Sequence, residues 1–390
     1  MLKRHQPKSC WSCRMTLRIV VLHLFALVCL GIVFSRQPGG QATLYANESV
    51  DVAAIVDSIG QKAVADEQAV GLSIGVAKAD TVLCAKGFGL TSVELNVPAS
   101  AKTVYRIGSI TKQFTAVAIL RLVEDGTVKL DDPLTKFLPD YPIQGRDVTI
   151  KHLLQHTSGI QDFTRLPLYR QELPNEVSQE DVLARFQDLP LDFEPGEKHQ
   201  YCNSGYYLLG VVIERASGKS FQKFAEEHLF DAAGLEATYC DTHARVIPRR
   251  ATGYSRWGGV LRNARYLNLK QAVGAGNLAS TVGDLLLWQR TLVEHGLLTD
   301  ESRRLMTTKG ELADGKTFDY GLGVFVRKFG EHDVVRHGGG IQGFRADLAY
   351  FPKSGYTIAV LANCDSVNAS RISGQIARRL LVEAGTDDSP

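Results

Sequence analysis

No repeat of fixed period and no low-complexity tract runs through the 390 residues, so solenoid and disordered architectures are excluded at the outset. A basic run of the kind that tracks a nucleic-acid backbone is missing too. The formal charge of +2 hides this, because residues 1–36 carry six basic side chains (Lys3, Arg4, Lys8, Arg14, Arg18 and Arg36) and no acid. Residues 37–390 hold 38 basic against 42 acidic side chains. That body is mildly acidic and has no electrostatic footprint for nucleic acid.

Cysteine is thin as well. Of the seven, Cys10, Cys13 and Cys29 lie in the N-terminal leader, which leaves Cys84, Cys202, Cys240 and Cys364 for the folded part. Four so widely spaced do not make a disulfide framework in a chain of this size, and their redox state stays open. Cys10 and Cys13 form a lone C-x-x-C with no second pair to complete a zinc site. His152 and His156 stand four apart in HLLQH and would share a helix face, but the glutamate that follows the first histidine of a zinc-protease helix is absent. Glu94, Glu194 and Glu197 are isolated carboxylates rather than an opposed pair, which removes glycosidase chemistry. No metal and no cofactor are expected.

What is present is an ordinary globular composition, 44% hydrophobic and 22% charged, enough for one large or two modest domains. At the N-terminus a basic lead precedes the apolar run IVVLHLFALVCLGIVF, residues 19–34, followed by Arg36 and a Pro-Gly-Gly stretch. This is a targeting pattern. The run is short for a spanning helix, which needs about 20 residues. A cleaved signal and an uncleaved membrane tether both fit residues 1–45, and either predicts that the rest is exported, periplasmic or extracellular.

The spacing predicts a helix over Val52–Ala65, then a hairpin from Leu72–Val76 and Val82–Phe88 around Ala79 and Asp80. A helix opens near Ser109 and should stop at Gly126. Short helices are expected to follow one another from Thr149 to about Leu298, the clearest being Ser280–Glu294 with Ser280 as cap. Beyond Asp319, GLGVFV, DVVRH, FRADLAYF and YTIAVLA read as four strands and Val367–Ala384 as a closing helix. Strands at both ends with helices between predict an α/β fold, an antiparallel sheet flanked by helices and built from both chain ends. An all-helical lobe is inserted at about 127–275 of a 46–385 domain, and 386–390 form a tail.

The stretch YRIGSITKQFTAVAIL, residues 105–120, sets Ser109 and Lys112 three apart at the mouth of an apolar helix. Ser109 is a helix cap or a nucleophile. A serine needs a base within hydrogen-bond reach, and an i, i+3 pair on a helix supplies one. Burial beside a positive helix N-terminus would make the lysine neutral, as a base must be. A second S-x-x-K, Ser220 and Lys223 in GKSFQKFAEEH, sits in a charged context and reads as a helix start.

With Ser109-Ile110-Thr111-Lys112, HTSGIQDF at 156–163, FEPGEKHQYCNSGYYLLGVVIERASGKS at 193–220, GNLAST at 276–281 and HGGGIQGF at 337–344, the chain resembles the serine β-lactamase and penicillin-binding protein superfamily. Within it the likeness is to the class C β-lactamase, D-alanyl-D-alanine carboxypeptidase and esterase branch, over about residues 50–385. The resemblance implies a serine hydrolase working through a Ser109 acyl-enzyme, with Lys112 and Tyr201 as base and proton relay. It implies that Asn203 orients Lys112 and substrate, that His337 and Gly339 belong to the substrate-binding strand, and that the N–H groups of Ser109 and Gly340 form the oxyanion hole. The partner is then a small-molecule or peptidoglycan-derived substrate: a β-lactam, a D-Ala-D-Ala peptide or a small ester. The alternative is a non-catalytic penicillin-binding or scaffold module of the same fold.

Here the sequence departs from its relatives, with histidine and glycine where many carry lysine and threonine. Without that cation and hydroxyl, small neutral esters are expected to be turned over faster than benzylpenicillin, unless Arg345 points into the cleft.

Overall fold

A computed structural model describes residues 50–384, apart from 67, 144 and 295. The expected leader, with its apolar run at 19–34, and the tail at 386–390 lie outside the described residues. No described helix is long and apolar enough to cross a membrane.

The chain enters through helix α1, Val52–Ala65, whose N-terminus is capped by Asp51 accepting the Ala54 N–H at 2.9 Å. Strands β1, Gly71–Lys78, and β2, Thr81–Ser92, form the expected hairpin, with Ala79 left-handed at φ 49°. The short β3, Val97–Pro98, is next. Helix α2, Thr111–Glu124, comes directly after a single 3-10 turn at Gly108–Ile110. Helices α3, Asn203–Ser217, and α4, Val282–Glu294, come later. The chain ends with β4, Phe325–Phe329; β5, His332–Ile341; β6, Phe344–Phe351; β7, Tyr356–Ala362; and α5, Ala369–Ala384.

The main sheet has the order β4-β5-β6-β7-β1-β2-β3 and is antiparallel throughout. The first hairpin docks on the last strand, Leu72 facing Ala362 and Lys78 facing Tyr356, so both ends of the chain complete one sheet as expected. Both faces are buried. The strand period of two sends Ile358 and Val360 toward α1 and α5, where Val56, Ile372 and Ile376 meet them. It sends Ala359 and Leu361 to the other side, toward Leu285 and Leu286 of α4. Helix α2 is buried almost all round, and Phe114 stacks on Trp288 with ring centroids 3.8 Å apart. Each such large side chain contributes about 1.5–3 kcal/mol by leaving water. The helix that carries Lys112, and the Ser109 turn that leads directly into it, are therefore firmly seated in the core.

The structure corrects three expectations. The lobe at about 127–275 is not all-helical, and the short helices expected from Thr149 to Leu298 are interrupted by strands. Tyr254–Trp257 and Val260–Asn263 form a hairpin, and Tyr239–Cys240 and Leu278–Ser280 join Tyr105–Arg106 in a small sheet. The hairpin's signal was the Gly258-Gly259 pair, both with positive φ, which makes the tight turn that matches strand twist. Ser280 does not cap α4, because it belongs to a strand; Thr281 Oγ1 accepts the Asp284 N–H at 3.1 Å instead. GLGVFV contributes to a strand only from Phe325, since Gly321 N–H bonds back to the Val324 carbonyl at 2.8 Å in a turn. Cys84, Cys202, Cys240 and Cys364 are all buried free thiols.

Candidate active site

Ser109 is not a cap. Neither the 3-10 turn that contains it nor α2 has a side-chain capping bond at its N-terminus, so the hydroxyl is free for other work. Ser220 shows the contrast: its hydroxyl accepts the Lys223 N–H at 3.2 Å and starts the helix Phe221–Ala225. The two S-x-x-K copies thus have different local roles despite identical spacing.

Lys112, the second residue of the apolar helix α2, is fully buried. Its Nζ lies 3.2 Å from Ser109 Oγ, 2.9 Å from Asn203 Oδ1 and 2.8 Å from the Ala275 carbonyl oxygen. Burial lowers its pKa from 10.5 to about 7, with Asp162 working weakly the other way. A neutral amine has two N–H donors and one lone pair. Two fixed acceptors, Asn203 and Ala275, take the donors, which leaves the lone pair for the Ser109 hydroxyl. Tyr201 completes the cluster. Its phenol lies on the Ser109 side of the cluster and is pushed well up by burial, and its ring lies 4.9 Å from Lys112 Nζ.

A supporting layer fixes these groups. Asn203 Nδ2 donates to Asp162 Oδ2 and to Thr164 Oγ1, each at 3.1 Å, which orients its carbonyl oxygen toward the lysine. Asp162 in turn accepts the Thr164 N–H and hydroxyl. His156 packs its ring 4.2 Å from that of Tyr201, and its Nδ1 accepts the Cys202 N–H at 3.1 Å, so it holds the Tyr201-Cys202-Asn203 turn. It does not share a helix face with His152. The helix Ile150–Leu154 stops short, His156 has φ 59°, and His152 Nδ1 accepts the Thr149 N–H in a capping box. Among the described residues no group of three or more His, Cys, Asp or Glu side chains is arranged to hold a metal.

The third element is β5. Gly108, just before the serine, has φ 51°, and a Cβ there would lie 2.8 Å from Gly340 N; a Cβ on Gly339 would lie 1.9 Å from the Ile107 carbonyl oxygen. Only glycines let the strand and the serine turn come this close. Beyond Arg336, where β4 stops pairing, no strand among the described residues covers the outer edge of β5. The β5–β6 turn is the two-residue Gln342-Gly343, closed by Ile341 facing Phe344. In such a hairpin the closing pair is hydrogen-bonded, so Gly340, one pair further on, turns its N–H to the open edge beside Ser109.

His337 is placed differently from expectation. It is 2% exposed and turns inward, its Nε2 3.1 Å from the Tyr320 hydroxyl and its Nδ1 2.6 Å from the Gly338 carbonyl oxygen. Burial, with Lys112 near, lowers its pKa to about 3, so it is a neutral prop behind the strand. Gly339 is likewise buried and serves the close approach. A Cβ at Gly338 would face Ser370 and Asp347 on the far side of the sheet.

Ser109, Asn203 and Gly340 open onto a cavity of about 520 Å³, walled by Phe163, Thr164 and Tyr169 on the helical side and by Ile341 and Arg345 on the sheet side. Arg345 does point into it. Its guanidinium would lie 3.4–3.6 Å from a Cβ built on Gly340. It donates to the Phe344 carbonyl at 3.0 Å, and among the described residues it has no carboxylate partner. Sequence reasoning missed Asp162, although D-x-T is a recognisable Asx-turn signal, and the Ala275 carbonyl, which has no sequence signal at all.

A helix-flanked antiparallel sheet bearing a serine backed by a buried lysine and a tyrosine places the chain in the class of serine hydrolases. Residues 56–383 match the family described as Beta-lactamase, and the chain belongs to that family. It is 29% identical over 308 residues to penicillin-binding protein 4* of Bacillus subtilis (strain 168), covering 73% of this chain and 67% of that one. It is 27% identical over 298 residues to a D-aminopeptidase of Gluconobacter oxydans (strain 621H), covering 75% and 55%. The chain thus spans roughly half to two thirds of the length of these curated relatives. Among solved structures, the octameric penicillin-binding protein homologue from Pyrococcus abyssi superposes with a TM-score of 0.75 at 29% identity, over 85% of this chain and 78% of that one. A D-stereospecific amidohydrolase from Streptomyces sp. superposes with a TM-score of 0.71 at 26% identity, over 86% and 99%.

Proposed function

We propose that the chain hydrolyses an amide, β-lactam or ester bond through an acyl-enzyme on Ser109. Neutral Lys112 takes the proton as Ser109 Oγ attacks the carbonyl carbon, and the N–H groups of Ser109 and Gly340 receive the oxyanion. Collapse of the tetrahedral intermediate expels the leaving group, which takes its proton through the Tyr201 hydroxyl. Water then attacks the acyl-enzyme and releases the acid and free Ser109. The observation that carries this reading is the buried Lys112 amine, with a pKa near 7, 3.2 Å from Ser109 Oγ. The names of the relatives, a penicillin-binding protein and a D-aminopeptidase, support an amide-like carbonyl as the target.

Neutral esters would be favoured in a cleft without a cation. Arg345 supplies one, so a donor with a carboxylate near the scissile bond regains a charged partner and joins small esters as a proposed substrate. Intact mass after exposure to benzylpenicillin and to a 4-nitrophenyl ester tests the whole reading. One acyl adduct is expected, mapped to Ser109 and absent in Ser109→Ala. An adduct that survives that substitution, or maps to Ser220, overturns it.

A further inference from the structure

Beyond the β5–β6 turn lies a second cavity, of about 350 Å³, lined by three arginines, Arg106, Arg250 and Arg265, together with Asn263, Gln342 and Phe344, and by no acid. The arginines are held by a built arrangement. Asp241, whose side chain is fully buried behind them, accepts Arg106 Nε on Oδ2 and Arg250 Nη1 on Oδ1, each at 2.7 Å. One carboxylate thus fixes two guanidinium groups and consumes one N–H of each, which leaves their remaining donors for other acceptors. Arg106 also lies over the Phe344 ring, 5.9 Å from its centroid. Arg265, from the segment after the Gly258-Gly259 hairpin, has no ion-pair partner among the described residues. Three positive charges against one buried negative leave the annex cationic. Gln342, at the tip of the turn, lines both this annex and the Ser109 cavity, so the two are neighbours along one surface.

We propose that the annex is a binding subsite for an oxyanion, a carboxylate or phosphate, carried on the substrate remote from the bond that is cut. Guanidinium forks match the planar or tetrahedral oxygens of such groups, and two of the three are already oriented before any ligand arrives. The subsite lengthens recognition beyond the reacting carbonyl and selects for extended, acidic acyl donors. The substrate part of this inference rests on the acyl-transfer reading above. The binding part does not, since it needs no turnover.

Two experiments on the full chain test it. Inorganic phosphate and, separately, succinate are titrated calorimetrically at low ionic strength into the wild type, Arg265→Gln and Arg250→Gln. Saturable binding of either probe to the wild type is expected, weakened at least about tenfold in Arg265→Gln, because losing one charge-assisted hydrogen bond has that scale. The better probe identifies the oxyanion. Second, 4-nitrophenyl esters of straight-chain acids of increasing length, ending in a carboxylate or in its methyl ester, are compared by KM. At one chain length the acid should bind at least about tenfold better. That preference should vanish in Arg265→Gln and persist in Arg345→Ala, while the methyl-ester KM stays unchanged in Arg265→Gln. Binding that is absent in the wild type, or unchanged in both annex variants, overturns the proposal, as does an acid preference that follows Arg345 instead. Phosphate binding with no ester turnover and no acyl adduct on Ser109 from either benzylpenicillin or the ester would instead uphold the annex and sink the acyl-transfer reading.

Discussion

Lys112 Nζ lies 2.9 Å from Oδ1 of Asn203, a residue 91 positions further along the chain, and that contact sets the direction of the lysine's lone pair. In the proposed reaction the lysine acts only when neutral, so kcat/KM should fall as pH drops through about 7, the pKa that burial gives it. Asn203→Asp would put a carboxylate against the same nitrogen and raise that pKa. The acid limb should then move upward, with at least about tenfold loss at pH 7 that is partly recovered near pH 9. A pH–rate profile whose limb stays in place counts against Lys112 as the base. Stability follows the same group. Between pH 7 and 10.5 the unfolded lysine binds a proton that the folded one refuses, so Tm should rise with pH across that window, and less so in Lys112→Met.

Arg345 should separate substrates by charge. Its guanidinium sits in the cleft over Gly340 without an acidic partner among the described residues, so Arg345→Ala removes a charge-assisted contact of about 1.5–3 kcal/mol from any donor with a nearby carboxylate. Steady-state rates should show benzylpenicillin losing roughly 10- to 100-fold in kcat/KM while a neutral short-chain ester is little changed. Equal losses on both substrates would mean that the arginine merely holds the strand.

Adjacent glycines of β5 should behave oppositely. A Cβ on Gly339 would lie 1.9 Å from the Ile107 carbonyl oxygen, and because that atom is backbone the strand must retreat from the serine turn. Gly339→Ala should cost about 1–3 kcal/mol and abolish acylation. A Cβ on Gly338 meets nothing nearer than 3.8 Å, so Gly338→Ala should keep both Tm and acylation rate. Thermal melts with mass-resolved acylation read both variants together.

What the sequence determined by itself is local and periodic. α1 spans Val52–Ala65 as its spacing predicts, and FRADLAYF and YTIAVLA are strands from first residue to last. A run of alternating or continuous apolar residues leaves little choice of secondary structure. The Ser109–Lys112 pair was legible for the same reason, since i and i+3 meet on any helix. The charged flank of Ser220 and the apolar flank of Ser109 already separated the two S-x-x-K copies in sequence, and the structure agrees, with Ser220 capping a helix and Lys112 buried beside Asn203 and Ala275. Tertiary structure alone decided that His337 turns inward while Arg345 turns to the cleft. The two lie on neighbouring strands three register pairs apart, and which face each presents depends on how β5 seats against Ile107, a contact between residues more than two hundred positions apart. The Ala275 carbonyl that holds the lysine is invisible in sequence, because every residue has a carbonyl and only the folded path of the backbone aims this one at Nζ.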